Sequence, residues 1–90
     1  MAALTKHAAD RQRQRAIPPI VIDWLEQFGA VEHQACAELL YFDRRGLKRL
    51  SRYTGGLSDQ FEALRNVYMV RGAKGRIITV GYRTHRINRK

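Results

Sequence analysis

The sequence contains a single cysteine, Cys36, and this scarcity excludes two kinds of scaffold. One thiol forms no internal disulfide, and a lone cysteine does not make a zinc site. The three histidines, His7, His33 and His85, are widely spaced in the chain, so we expect no bound metal and no cofactor. A lone cysteine is also typical of a reducing compartment, which favours the cytoplasm.

Long apolar runs and the common catalytic motifs are also missing. The first sixteen residues lack the apolar core of a signal peptide, and no run reaches the roughly 18 residues that span a bilayer. We therefore expect no association with a membrane. There is no glycine-rich phosphate loop, no nucleophile elbow and no paired carboxylate site, which excludes most nucleotide-hydrolysing and metal-dependent enzymes.

Acidic residues are few: eight Asp and Glu stand against seventeen Lys and Arg, for a net charge of +9. Positive charge is concentrated in residues 1–16, 43–62 and 63–90, whereas residues 17–42 contain acidic residues but no Lys or Arg. If the fold brings the basic blocks together, their field attracts phosphate backbones. This segregation predicts a nucleic-acid partner more strongly than a merely solubilising surface.

The pattern of apolar residues predicts one α+β domain over residues 1–90, with a basic tail over 83–90 that frays at its end. Helices are predicted over 5–15, 18–28, 44–53 and 59–65, the last capped by Ser58. Strands are predicted over 30–35, 38–42, 67–71 and 76–82, the last two joined by a glycine-containing turn as a hairpin. We expect a small antiparallel sheet with the helices packed on one face.

Two of the predicted helices have an apolar side that is distinct from the rest of their surface. In the helix over 18–28, Trp24, Leu25 and Phe28 lie on an apolar stripe that is expected to pack on the sheet. In the helix over 44–53, Leu47, Leu50 and Tyr53 share one side. The remaining surface of that helix is almost wholly basic, and its predicted phosphate contacts are Arg45, Lys48, Arg49 and Arg52.

One reaction suits a basic protein without metals: RNA cleavage through attack by the ribose 2′-OH, which needs proton-transfer groups and cations around the phosphate. His7 and Tyr82 are the candidate proton-transfer groups. Arg11 and Arg15 share a helical face with His7, and Arg83 and Arg86 follow Tyr82, so these four are candidate phosphate contacts. Neither end of the chain has a complete catalytic set, so a site would require His7 or Arg11 to lie near Tyr82 or Arg83.

Three segments carry a resemblance to a known family: KHAADRQRQRAIPPIVIDWLEQFGA, the Tyr41-Phe42-Asp43 triplet before a basic helix, and IITVGYRTHRI. Together they resemble a family of short, basic proteobacterial proteins with no agreed activity, over nearly the whole chain. In that family the closing strand is usually T-V-G-H-R-x-x-R-I, so Tyr82 stands where histidine is common. Such proteins are distantly similar to the BrnT/RelE-like toxin superfamily, whose members are compact α+β ribonucleases that inhibit translation.

The resemblance implies a RelE/BrnT-like fold and a toxin-type, metal-independent endoribonuclease, with an acidic antitoxin-like protein as a partner. The residues by themselves favour nucleic-acid binding, and the toxin-like resemblance implies RNA rather than DNA as the partner. Two alternatives remain open from the sequence: a non-catalytic nucleic-acid-binding module, and a protein-interaction module that binds an acidic partner.

Overall fold

The computed structural model describes residues 4–83, with the exception of the Glu62 side chain. It contains the helices α1 (Lys6–Gln14), α2 (Pro19–Phe28) and α3 (Arg44–Thr54), and the strands β1 (Ala30–Gln34), β2 (Ala37–Tyr41), β3 (Val67–Gly72) and β4 (Ile77–Tyr82). The predicted α+β class is confirmed. The predicted fraying of the tail and Arg86 lie outside the described residues.

The four strands form one antiparallel sheet in the order β1-β2-β3-β4, so each strand pairs with its neighbour in sequence. The predicted hairpin is present as β3 and β4, with Met69 opposite Val80. Its turn closes through the Gly72 N–H, which donates to the Arg76 carbonyl oxygen at 2.8 Å. Gly75 has a φ of +80°, a conformation that glycine adopts without steric cost.

The core lies on one face of this sheet. Leu40, Met69 and Val80 are paired across β2, β3 and β4 and are buried in one cluster with side chains from all three helices. Trp24 and Leu25 of α2 belong to this cluster, as the apolar stripe predicts. The helices therefore cover one face, as expected from the sequence. Strand alternation directs Tyr68 and Val70 to the other face.

Helix α1 is fixed at the start of β4 by contacts that no local pattern predicts. The Thr5 side-chain oxygen accepts from the Ala8 N–H at 3.2 Å and so caps the helix. The Thr5 N–H donates to the Ile77 carbonyl oxygen at 2.9 Å, and Leu4 forms a parallel bridge with Ile77. These bonds join residues more than 70 positions apart in the chain and cover the outer edge of β4.

The prediction of a helix over residues 59–65 is wrong. The chain instead forms two 3₁₀ turns, Leu57–Gln60 and Glu62–Arg65, separated by Phe61 with φ −99° and ψ +86°. This conformation directs the Phe61 ring edge-on to the Trp24 ring, with centroids 5.4 Å apart. The segment therefore forms an aromatic contact with the core instead of a continuous helix. Local helix propensity does not predict this contact.

Gly46 allows α3 to approach the end of α2. A Cβ atom at this position would lie well inside van der Waals contact with the Phe28 carbonyl oxygen, which is backbone and cannot rotate away. The Gly46 N–H also donates to the Asp43 side-chain oxygen at 2.7 Å, which caps α3. A buried glycine therefore stands in the first turn of this helix because of packing and not because of its backbone angles.

Replacing Trp24 by alanine should destabilise the protein by about 3–5 kcal/mol, because the ring is 4% exposed and its removal leaves a cavity. Ile20→Ala in the same helix is the control, since Ile20 is 47% exposed and should cost about 1 kcal/mol or less. Urea denaturation measures both. Equal losses in the two variants would contradict the assignment of Trp24 to the core.

Gly46→Ala should destabilise the protein by about 1–3 kcal/mol, because the new methyl group must push α3 away from α2. Inside an unconstrained helix the same change would stabilise by about 1 kcal/mol, so the sign of the effect is informative. Arg45→Ala, next to it and exposed, should change stability by about 0.5 kcal/mol or less. A stabilised Gly46→Ala variant in the same denaturation assay would show that the two helices are not in close contact.

Candidate nucleic-acid interface

Helix α3 presents a continuous basic surface. Its inner side contains the buried residues Leu50 and Gly46. Its outer side, here called the basic face of α3, consists of five exposed residues: Arg44, Arg45, Lys48, Arg49 and Arg52. The four residues predicted from the sequence as phosphate contacts on this helix are therefore solvent-exposed and lie on one element.

The charge of the basic face is not neutralised by the acidic residues near it. Within residues 4–83, the ion pairs join Arg13 to Asp10, and both His33 and Arg71 to Glu38, and none involves α3. Of the nearby carboxylates, Asp43 caps the helix and Asp59 accepts a hydrogen bond from the Ser51 hydroxyl at 3.2 Å. The five cations are consequently available to an anionic partner.

Aromatic rings lie directly beside this basic face. Tyr53 is 69% exposed, and its ring centroid is 5.2 Å from that of Phe28. The Arg49 guanidinium carbon lies 5.7 Å from the centre of the Phe28 ring. Exposed rings among cations are the combination that binds the bases and phosphates of a single strand.

Tyr53 shares a side of α3 with Leu47 and Leu50 but is exposed, and helix geometry explains why. At about 100° per residue, Leu47 and Tyr53 lie about 60° to either side of Leu50. The Leu47 side is covered by the 3₁₀ turns, whereas the Tyr53 side reaches only the end of α2 at Phe28. Sequence reasoning therefore missed Tyr53, Phe28 and Arg44 as candidate contacts, although Arg44 belongs to the same basic run as Arg45.

The candidates on α1 have different environments. His7 and Arg15 are exposed, but Arg11 is half-buried and its Nε–H is buried without a hydrogen-bond partner. Helix α1 packs along β4, whereas α3 packs on α2 and the first 3₁₀ turn. Arg11 and Arg15 thus belong to a second basic region, carried by a different part of the fold.

Tyr82 and Arg83 project to opposite sides of the sheet. Tyr82, the last residue of β4, packs against the core and lines a cavity of about 110 Å³ with Pro18, Val21 and Phe61 among its neighbours. Arg83 lies on the other side, with its guanidinium carbon 5.6 Å from the centre of the Tyr68 ring. Its N–H donates to the Asn66 carbonyl oxygen at 2.7 Å, which fixes the backbone there.

The two candidate proton-transfer groups lie toward different ends of β4. His7 follows Thr5, which is hydrogen-bonded to Ile77 at the first residue of the strand. Tyr82 is five residues further along, about 17 Å at roughly 3.3 Å per residue. General acid–base catalysis requires both groups within about 3 Å of the reacting atoms. The structure does not bring His7 and Tyr82 into one such site.

No group of three or more His, Cys, Asp or Glu side chains is arranged to hold a metal ion among residues 4–83. In the same range, no helix has the length and apolar character needed to cross a bilayer.

Comparison with known proteins does not extend these observations: no protein-family model, curated protein or solved structure matches the chain. The resemblance to the short proteobacterial family, and the more distant one to BrnT/RelE-like toxins, therefore stay predictions from the sequence motifs.

Proposed function

We propose that this protein binds single-stranded nucleic acid, with RNA as the expected partner, through the basic face of α3 and the aromatic rings beside it. The observation that carries the proposal is the combination of five exposed cations, which form no ion pair with the described acidic side chains, and a tyrosine that is 69% exposed. The setting we expect is the cytoplasm, because the exposed thiol of Cys36 is suited to a reducing compartment.

The cations supply affinity. Arginine presents a planar fork of donors that matches phosphate oxygens, and four of the five residues of the basic face are arginines. Binding releases the counterions condensed on the nucleic acid, so affinity falls as salt rises. An acidic protein surface would also be attracted to this helix, but it would not give the salt dependence of a phosphate chain.

The exposed ring of Tyr53 favours a single strand over a duplex. In a duplex the bases are stacked on each other, and their faces are not accessible to Tyr53. In a single strand an unstacked base can lie on the ring, which contributes about 1–3 kcal/mol per base. Proteins that recognise RNA sequences act mainly on such unpaired segments, which supports RNA as the partner.

The remaining basic candidates serve as additional phosphate contacts in this proposal. Arg83 is held above Tyr68 on the open face of the sheet, and Arg11 and Arg15 lie along β4. Cleavage by His7 or Tyr82 is not part of the proposal, because helix α1 begins beside Ile77 at the start of β4 and Tyr82 is the last residue of that strand. The endoribonuclease hypothesis stays a prediction from the sequence.

The proposal predicts that the salt dependence of nucleic-acid affinity comes mainly from the cations of α3. Replacing Arg45, Lys48, Arg49 and Arg52 together by alanine should flatten the slope of log Kd against log salt by up to about 3 units, at about 0.7 per phosphate on a single strand. Fluorescence anisotropy titrations of labelled single-stranded RNA and DNA of one sequence, with EDTA present, measure the slope. Circular dichroism confirms that the fold is intact.

The matched control removes the same charge elsewhere, with alanine at four exposed positions outside α3: Lys6, Arg13, Lys74 and Arg76. This control variant should retain most of the wild-type slope. If both quadruple variants flatten it equally, binding reflects net charge alone and not the basic face. If the wild-type protein binds neither nucleic acid at low salt, the proposal is wrong.

Tyr53→Ala should weaken binding to single-stranded RNA about 5- to 150-fold, because a base loses its stacking platform. The salt slope should not change, since no cation is removed. Tyr53→Phe, which keeps the ring, should bind like the wild type. Unchanged affinity in Tyr53→Ala would mean that the exposed ring does not contact the nucleic acid.

A further inference from the structure

A cleft of about 540 Å³ opens between α3 and the two 3₁₀ turns. The described side chains that line it are those of Leu47, Ser58, Asp59, Phe61, Leu64 and Arg65. A volume of this size lies in the range of pockets that hold small organic ligands, roughly 300–1,000 Å³. The cleft includes none of the residues that the sequence singled out as functional.

The apolar walls of the cleft are preformed. Leu64 is buried in the core, and Phe61 is held edge-on against Trp24 with the rings at 85°. Leu47 contributes the wall on α3. A flat, partly apolar group can therefore enter without displacing the core, and the fixed Phe61 ring offers an aromatic surface to it.

Among the polar groups that line the cleft, Asp59 supplies the carboxylate, beside the Ser58 hydroxyl and the Arg65 guanidinium. Ser58 is 3% exposed, and Asp59 is held at the rim by the Ser51 hydroxyl, which donates to Oδ2 at 3.2 Å. Oδ1 of Asp59 has no hydrogen-bond partner among the described residues. An ionised carboxylate accepts hydrogen bonds and donates none, so it selects a ligand with two adjacent N–H donors.

Among the four bases of RNA, guanine has this arrangement. Its N1–H and exocyclic N2 amino group lie side by side on one edge. Adenine and cytosine place a ring acceptor next to their amino group, and uracil flanks its N–H with two carbonyl oxygens. These acceptors would face the carboxylate and repel it. The chemistry of the cleft therefore discriminates among bases, which the basic face alone does not.

The cleft adjoins the proposed backbone interface. Leu47 is on α3, and Arg44 precedes it by three residues, so both lie on the same side of the helix. Arg65 is exposed on the opposite rim. A strand whose phosphates lie on the basic face can thus turn one base into the cleft while its neighbouring phosphates remain near these two arginines.

We infer that this cleft binds an unpaired guanine base of the nucleic acid, with Asp59 accepting from its Watson–Crick edge and Phe61 and Leu47 contacting its rings. This inference rests on the proposed function, since it names the base that the same interface selects. The interaction of a carboxylate with two base donors gives discrimination of about tenfold or more.

The test compares labelled RNA oligonucleotides of ten uridines in which one central position is guanosine, adenosine or cytidine. The wild-type protein should bind the guanosine oligonucleotide about tenfold more tightly than the others. Asp59→Asn, which replaces the acceptor pair by one acceptor and one donor, should remove this preference. Asp23→Asn on α2 makes the same charge change outside the cleft and should keep it.

The outcomes separate this inference from the proposed function. If all oligonucleotides bind equally with a steep salt dependence, the guanine site is wrong and the proposed binding function stands. A guanosine preference that survives in Asp59→Asn would also overturn the assignment of the cleft. If no oligonucleotide binds at low salt, both proposals fail.

Discussion

The close approach of α3 to the end of α2 at Gly46 is the constraint on which the candidate interface depends. Because no Cβ intervenes, the backbone of α3 meets the Phe28 carbonyl oxygen directly, and Leu50 is buried one turn later. Within the described part of the chain, this attachment leaves the basic side of the helix exposed. It also places Phe28 beside Tyr53 and Arg49, so one packing contact assembles the cations and the aromatic rings.

Phe61 has a comparable role at the cleft. Its contact with Trp24 interrupts what the sequence predicts as a helix, and the chain instead forms two 3₁₀ turns beside α3, the first of which packs on that helix. The space between them becomes the cleft that holds Asp59 at its rim. The residue that anchors this segment to the core therefore also creates the proposed base-binding site.

The distribution of charge follows from this arrangement. The acidic side chains near α3 are engaged as a helix cap, in Asp43, and as an acceptor from Ser51, in Asp59. Neither neutralises an arginine of the basic face. The cationic surface is thus adjacent to the Asp59 carboxylate in the cleft. This arrangement suits a ligand with an anionic backbone and a base that carries hydrogen-bond donors.

The sequence by itself determined the elements that depend on local periodicity: α2 with its buried Trp24, the β3–β4 hairpin, and the basic side of α3. These follow from the spacing of apolar residues and from turn glycines, which act over a few residues. Only the tertiary structure decided that Tyr53 is exposed, that 59–65 is not one helix, and that His7 and Tyr82 lie toward different ends of β4. Those features depend on contacts between residues distant in the chain, such as Thr5 with Ile77 and Phe61 with Trp24, and local sequence patterns do not encode such distances.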